Sequence, residues 1–288
     1  MAWQELSIKV PYEYVEPISY LFGRYGRGLS LEQDGSDKVL LRTYLPVSSR
    51  QRLARIDVGL RLVSILEPLD ELTITALPEE DDWQKQWQAH FDLLRVGQHL
   101  VIKPSWIDYE ATTGEVVVEL DPGMAFGTGY HPTTYTCLEA IEDILEPGMA
   151  VLDLGTGSGI LTIAAVKLGA GSVVALDIDS QAVRAARQNF RRTRVQRKVT
   201  LSQGSIPHAL AGEGSFDLVV ANISARAVRE RAPFIFPCLA PQGRFVASGI
   251  LKTQQEEVDD TLIGLGCSLE RQWPQEEWVT LVYRPAPA

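Results

Sequence analysis

The spacing of hydrophobic positions changes period several times along the chain. Residues 3 to 10 alternate as a strand does, 14 to 25 repeat as a helix does, and 28 to 46 read as a hairpin around Gln33-Asp34-Gly35-Ser36. From Ser49 to Leu66, the residues Leu53, Ile56, Leu60 and Val63 recur at spacings of three and four, which puts them on one helical face. Strand character returns from Leu69 to Leu77. This pattern predicts a small α+β domain over residues 1–77. A polar run from Pro78 to Phe91 follows, with Trp83 and Trp87 four residues apart, and predicts a connector helix over 78–94.

Residues 95–288 have a different rhythm. Two strand-like runs, VGQHLVIKPSW and EVVVELDPG, flank a turn at Thr113-Gly114 and lead into the loop AFGTGYHPTT. From Val151 the strands VLDL, SVVALDI, KVTLSQ, DLVVANI and GRFVASGI alternate with helical patterns at 159–168, 180–190, 225–239 and 253–265. Such alternation predicts a parallel sheet covered on both faces, an α/β Rossmann-like domain. The tail CSLERQWPQEEWVTLVYRP offers two strands with no helix between them, so at least one of them should run antiparallel.

Composition narrows the classes. The chain has 288 residues, 45% of them hydrophobic and 22% charged, which is globular. Its net charge of −10 argues against non-specific nucleic-acid binding, and no basic face is evident in the pattern. No apolar run reaches the roughly 18 residues of a membrane helix, and the acids and proline near the N-terminus do not suit a signal peptide. Cys137, Cys238 and Cys267 are odd in number and far apart, so they form neither a disulfide framework nor a metal cluster and read as buried residues in a reducing cytoplasm.

The candidate chemistry begins at VLDLGTGSGI, where a strand ends in Asp153 and glycines stand at 155, 157 and 159 before a helix. Glycines there let the backbone approach a ligand and aim amides at it. The nicotinamide fingerprint G-x-G-x-x-G/A fails at Ile160. The spacing fits instead the loop that holds the amino-acid part of S-adenosylmethionine (SAM). Asp177, 22 residues after Gly155, closes the next strand, where a carboxylate can accept two ribose hydroxyls. The plainer alternative is a turn with a helix-capping aspartate; Asp179 suits that capping role. Asn222 closes a later strand, and its neutral carbonyl can orient an amine without holding it protonated; the alternative is a cap for the helix near Ala225. Gly127 and Gly129 allow a tight turn, and Phe126, Thr133 and Thr134 can line a cofactor site. His131 is dispensable as a base if the amine arrives neutral, and His90, His99 and His208 read as structural.

The segments DPGMAFGTGYHPTT, VLDLGTGSGILTIAAVKLGA, ALDIDSQAV, VVANI and APQGRFVASGIL together resemble the bacterial ribosomal protein L11 methyltransferases, from about Pro78 to the C-terminus and more weakly over the first 75 residues. The resemblance implies a class I SAM-dependent methyltransferase domain with a seven-stranded sheet, preceded by an N-terminal domain that grips the substrate protein. It implies SAM contacts at Thr134, Gly155, Asp177 and Asn222, with Phe126 and Gly127 nearby; Thr133, Asp153 and Gly157 complete the expected cofactor set, and Asn222 the catalytic one. The implied substrate is a large-subunit ribosomal protein, methylated on lysine side chains and its N-terminal amine, with S-adenosylhomocysteine as product. A monomer without membrane or sequence-specific nucleic-acid contacts is expected. Tyr130 and Thr156 depart from the usual family residues without removing a backbone contact, and Ser224, in Asn222-Ile223-Ser224-Ala225 where the family has NILA, can alter the polarity of the pocket. Two rival readings stand beside it. One is a SAM-dependent methyltransferase for another amine or a nucleic acid, against which Ile223 and Ser224 follow Asn222 where a base-stacking aromatic would be useful. The other is a non-catalytic SAM-binding scaffold.

Overall fold

The computed structural model describes residues 3–34, 38–65, 68–77, 92–121, 127 and 129–285. Of the connector helix expected over 78–94, residues 78–91 lie outside these residues, as does the site residue Phe126; residues 92–94 are not helical, and Leu94 instead begins a strand. The described residues of Met1–Asp92, Pro104–Ile107 and Asp121–Phe126 make one compact unit, and those of Leu93–Lys103, Asp108–Leu120 and Gly127–Ala288 the other.

The first unit runs β1 (Trp3–Pro11), α1 (Tyr12–Tyr25), β2 (Arg27–Asp34), β3 (Lys38–Pro46), α2 (Arg50–Ser64) and β4 (Thr73–Ala76). Its sheet is antiparallel in the order β2-β3-β1-β4. Alternation along β1 sends Leu6, Ile8 and Val10 to one face, where they meet Val15, Ile18 and Phe22 of α1 and Ile56 and Leu60 of α2. Two residues of the predicted helical stripe, Leu53 and Val63, pack at the margin of that core.

The second unit opens with a small sheet of β5 (Leu94–Val96), β6 (Leu100–Lys103) and β7 (Val116–Glu119). The run read as one strand is therefore two, folded back at Gly97, which takes φ +58°. Glu142 holds that turn, accepting from the backbone N–H groups of Gln98, His99 and Leu100 at 2.6, 2.7 and 3.0 Å. β6 and β7 pair in parallel.

The main sheet comprises β8 (Ala150–Leu154), β9 (Ser172–Asp177), β10 (Val199–Gln203), β11 (Phe216–Asn222), β12 (Leu239–Leu251), β13 (Cys267–Gln275) and β14 (Trp278–Pro285). Its order is β10-β9-β8-β11-β12-β14-β13. The first five are parallel, and β14 runs antiparallel to both neighbours, as the helix-free tail requires. Helices α3 (Pro132–Ile144), α4 (Ile160–Leu168) and α5 (Ser180–Arg192) cover one face, packing on Val151, Val173, Val220 and Val246. Helices α6 (Ala225–Ile235) and α7 (Gln255–Gly264) cover the other, on Leu152, Val219, Phe245 and Leu281. Neighbouring residues of each strand thus feed opposite cores, which is why these strands read as continuous apolar runs. The helix expected over 225–239 stops at Ile235 and tightens into a 3-10 turn, Phe236–Cys238, because Pro237 has no N–H to continue it.

The β12/β14 register slips between Ala247 and Ile250, and Gly249 takes φ +78° in the slip. A Cβ there would lie 2.2 Å from the carbonyl oxygen of Ile223, so no side chain fits. Gly249→Ala is expected to cost roughly 2–4 kcal/mol, combining left-handed strain with backbone overlap. Urea unfolding measures this; a loss below about 1 kcal/mol would mean that the bulge relaxes freely.

Candidate functional site

From β8 the chain moves outward through β9 to β10, then crosses back to lay β11 on the other side of β8. At such a reversal the loops leaving the carboxyl ends of the two central strands diverge and open a crevice, the usual ligand position in an α/β sheet. The registers Leu154↔Leu176 and Ala221↔Leu154 put Gly155, Asp177 and Asn222 one step beyond the last paired residues, at the same height on adjacent strands. Sheet pairing thus brings together three residues separated by up to 67 positions in sequence.

The glycine bend is tied to β9. Gly155, Gly157 and Gly159 take φ of +75°, +55° and +86°. The N–H groups of Gly155 and Thr156 donate to the carbonyl of Leu176 at 2.8 and 3.1 Å. Gly157 N–H donates to Asp177 Oδ2 and Asp179 N–H to Asp177 Oδ1, both at 2.9 Å. A Cβ at Gly155 would stand 2.6 Å from the Ile223 side chain, and one at Gly159 2.4 Å from the Phe190 ring. Two contacts missed in the sequence hold the outside of the bend: Asn189 Nδ2 donates to Ser158 O at 2.7 Å, and Ser158 Oγ donates to Gly127 O at 2.5 Å. Gly127, with φ +96°, is thereby brought against the bend.

Asp153 lies beneath it with 1% of its surface exposed. Its Oδ2 accepts from Thr156 Oγ1 at 2.7 Å and Thr162 Oγ1 at 2.6 Å, while its buried Oδ1 has no hydrogen-bond partner among the described residues. Burial pushes this carboxyl up to about 6, against the pull of the two threonines. An incompletely satisfied buried carboxylate suits a cationic neighbour such as an ammonium group.

Across the crevice, Asn222 Nδ2 donates to Thr134 Oγ1 at 3.3 Å. Its carbonyl oxygen makes no hydrogen bond with the described residues. The capping alternative for Asn222 does not hold, because Ser224 caps α6, its Oγ accepting from Ala227 N–H at 3.4 Å. Asp179 does cap α5, accepting from Gln181 N–H at 2.8 Å. His131 caps α3: Thr133 N–H donates to its Nδ1 at 3.3 Å, and Thr133 Oγ1 lies 2.7 Å from the same nitrogen. Burial lowers its pKa to about 4, so the ring is neutral at physiological pH, packed edge-on against Trp278. The Thr133 hydroxyl is accordingly turned to His131, and Thr134 alone of the pair reaches Asn222. His99 lies 3.5 Å from the Glu142 carboxylate and His208 3.3 Å from Ser202 Oγ, both in structural contacts.

A buried hydroxyl cluster supports this wall. Thr280 Oγ1 stands 2.6 Å from both Thr136 Oγ1 and Ser248 Oγ, Ser248 Oγ reaches Thr133 O at 3.3 Å, and Ile223 N–H donates to Ser248 O at 3.1 Å. The sequence offers no signal for it, since its members come from α3, β12 and β14. Ile178, immediately after Asp177, is 73% exposed. Read as the last apolar position of a strand, it instead lies beyond the strand's end, at the rim of the crevice.

The profile of the family described as ribosomal protein L11 methyltransferase (PrmA) matches residues 2–285. The protein of that name from Chloroflexus aurantiacus is 38% identical, with 98% of each chain covered. Its counterpart from Geobacillus kaustophilus is 36% identical, covering 98% of this chain and 99% of that one. Among solved structures, a ribosomal protein L11 methylase from Lactobacillus delbrueckii subsp. bulgaricus superposes with a TM-score of 0.63 at 32% identity, over 68% of this chain and all of that one.

With its carboxyl raised from the ordinary 3.8 to about 6, Asp153 keeps a proton in the folded chain that the unfolded chain releases. The folded state therefore loses stability from this group as pH rises through that interval. Asp153→Asn should remove the loss, gaining roughly 1–3 kcal/mol on the parent between about pH 4 and pH 7. Thermal unfolding of both proteins across that range checks it; a constant difference would show that Asp153 ionises as a surface acid does.

Proposed function

The chain belongs to the ribosomal protein L11 methyltransferase family, and on that premise we propose that it transfers methyl groups from SAM to amines of L11, a large-subunit ribosomal protein. The observation that carries the reading is the alignment at one sheet edge of the tied glycine bend, the Asp177 carboxylate and the Asn222 amide.

Bound SAM supplies an electrophilic methyl carbon on a sulfonium. Each Asp177 oxygen accepts one backbone N–H and keeps a further lone pair, so the carboxylate can take ribose hydroxyls without giving up its hold on the bend. Gly155 and Gly157 let the backbone approach the amino-acid part, Gly127 lies against the same bend, and the Asp153 oxygen that has no partner among the described residues favours a cation in the vicinity. The exposed side chain of Ile178 offers an apolar surface for the base.

Asn222 orients the acceptor. Thr134 fixes the amide so that its nitrogen donates inward, and its oxygen can accept an amine N–H and aim the lone pair along the line of attack. The group is neutral, so it does not hold the amine protonated. Burial lowers the proton affinity of His131, and its Nδ1 is engaged with Thr133, so the reading gives it no role as the base. The acceptor must lose its proton on entry: a lysine amine starts near 10.4 and an α-amine near 7.7–8.0, and desolvation beside a sulfonium lowers both. A neutral dimethylated amine has no N–H to donate, so packing around its methyls must hold it for a third transfer. The N-terminal unit is assigned to gripping the substrate protein.

Asp177→Ala should weaken SAM binding at least about tenfold by calorimetry, the loss of two charge-assisted hydrogen bonds; unchanged affinity would overturn the ribose assignment. Asn222→Ala should lower kcat roughly 100-fold while SAM affinity stays within a few-fold. Equal losses in both would place Asn222 on the cofactor alone.

A further inference from the structure

Helix α5 and the turn after it carry a basic surface that methyl transfer does not use. Residues 180–198 hold six arginines, one lysine and no acidic residue, in a chain whose net charge is −10. Arg184, Arg187 and Arg191 follow one another at i, i+3 and i+7, which aligns them in one stripe on the side opposite the buried Ala182, Val183, Ala186 and Phe190. Arg194 and Arg197 extend the basic run past the helix end. All five are exposed, and none makes an ion pair or side-chain hydrogen bond with the described residues.

On the helix itself Arg192 turns to Glu119, so the unpaired residues are those of the stripe and its extension. In the same unit Arg95 pairs with Glu115, Arg226 with Glu230, Arg229 with Glu257, Arg244 with Glu270 and Arg271 with Asp143. Helix polarity accounts for Arg191 in the last turn, but Arg184 lies in the second turn, toward the positive end, where a cation gains nothing from the dipole. Arg194 takes φ +59°, a left-handed conformation that glycine adopts with less strain. An unpaired, exposed stripe of this kind suits a partner of opposite charge.

We propose that this face docks the phosphodiester backbone of RNA, without base selection. Guanidinium forks match phosphate oxygens two at a time, and the segment uses arginine almost exclusively; a nucleic-acid strand also presents its charges at a regular repeat, which an evenly spaced stripe can follow and the acids of a protein surface do not supply. From Arg184 to Arg191 the stripe covers about 10 Å of helix axis, a length that meets successive phosphates of one strand. Surfaces of this kind neutralise phosphates and displace counterions, which makes binding sequence-independent and salt-sensitive. No basic face is evident in the linear pattern because these charges are diluted in an acidic chain and align only once the helix is formed.

Fluorescence anisotropy of the full chain with two labelled RNA duplexes of unrelated sequence tests this. Both should bind at roughly 1–100 μM in about 50 mM salt and lose at least about tenfold by 200 mM. The triple variant Arg184→Glu, Arg187→Glu, Arg191→Glu should bind at least about tenfold more weakly, while methyl transfer to the free ribosomal protein stays unchanged. The milder pair Arg187→Gln, Arg191→Gln, with a proportionate loss, covers the case in which the triple variant does not fold. No binding at low salt, binding unaffected by either variant, or tighter binding of polyglutamate than of RNA would each overturn the proposal, the last in favour of an acidic protein partner.

Discussion

The carboxylate of Asp177 accepts one N–H from the glycine bend and one from the start of the next loop, and the arrangement of the crevice depends on that pair of bonds. The bend leaves β8 with three residues at positive φ, a conformation with no side-chain packing to stabilise it. Its donors would otherwise be orphans at the head of α4; Leu176 O takes two and Asp177 a third. The same carboxylate is thus both a structural clamp and, in the proposed reading, a ligand-binding group. A carboxylate's four acceptor sites make the two roles compatible.

Polar groups in this unit divide by how fully they are satisfied. Thr136, Ser248 and Thr280 bond to one another and to backbone carbonyls, and such a closed cluster fixes α3 against β12 and β14 and, through Ser248 O, the chain just after Asn222. Asp153 is the exception, with one oxygen engaged twice and the other without a partner among the described residues. Rigid support and incomplete satisfaction lie side by side, as expected where a scaffold positions a site whose electrostatics are completed by a ligand. Charge is divided in a similar way: the chain as a whole is acidic, while α5 concentrates unpaired arginines.

Much of this was legible in the sequence because it is local. The strand–helix rhythm from Val151, the antiparallel tail, the Asp179 cap, the glycine spacing and the mismatch at Ile160 all depend on neighbours within a few residues, where periodicity and turn chemistry act. Tertiary structure decided the rest. Splitting of 96–103 around Gly97 is stabilised by Glu142, 45 residues further on. Choosing Ser224 over Asn222 as the cap depended on Asn222 being drawn to Thr134 across the crevice, and His131 became a cap because burial leaves its ring neutral. The sequence by itself determined which residue types stand at strand ends. Which of those ends lie side by side was decided only by strand order and register, because pairing energy comes from cores assembled out of segments far apart in the chain.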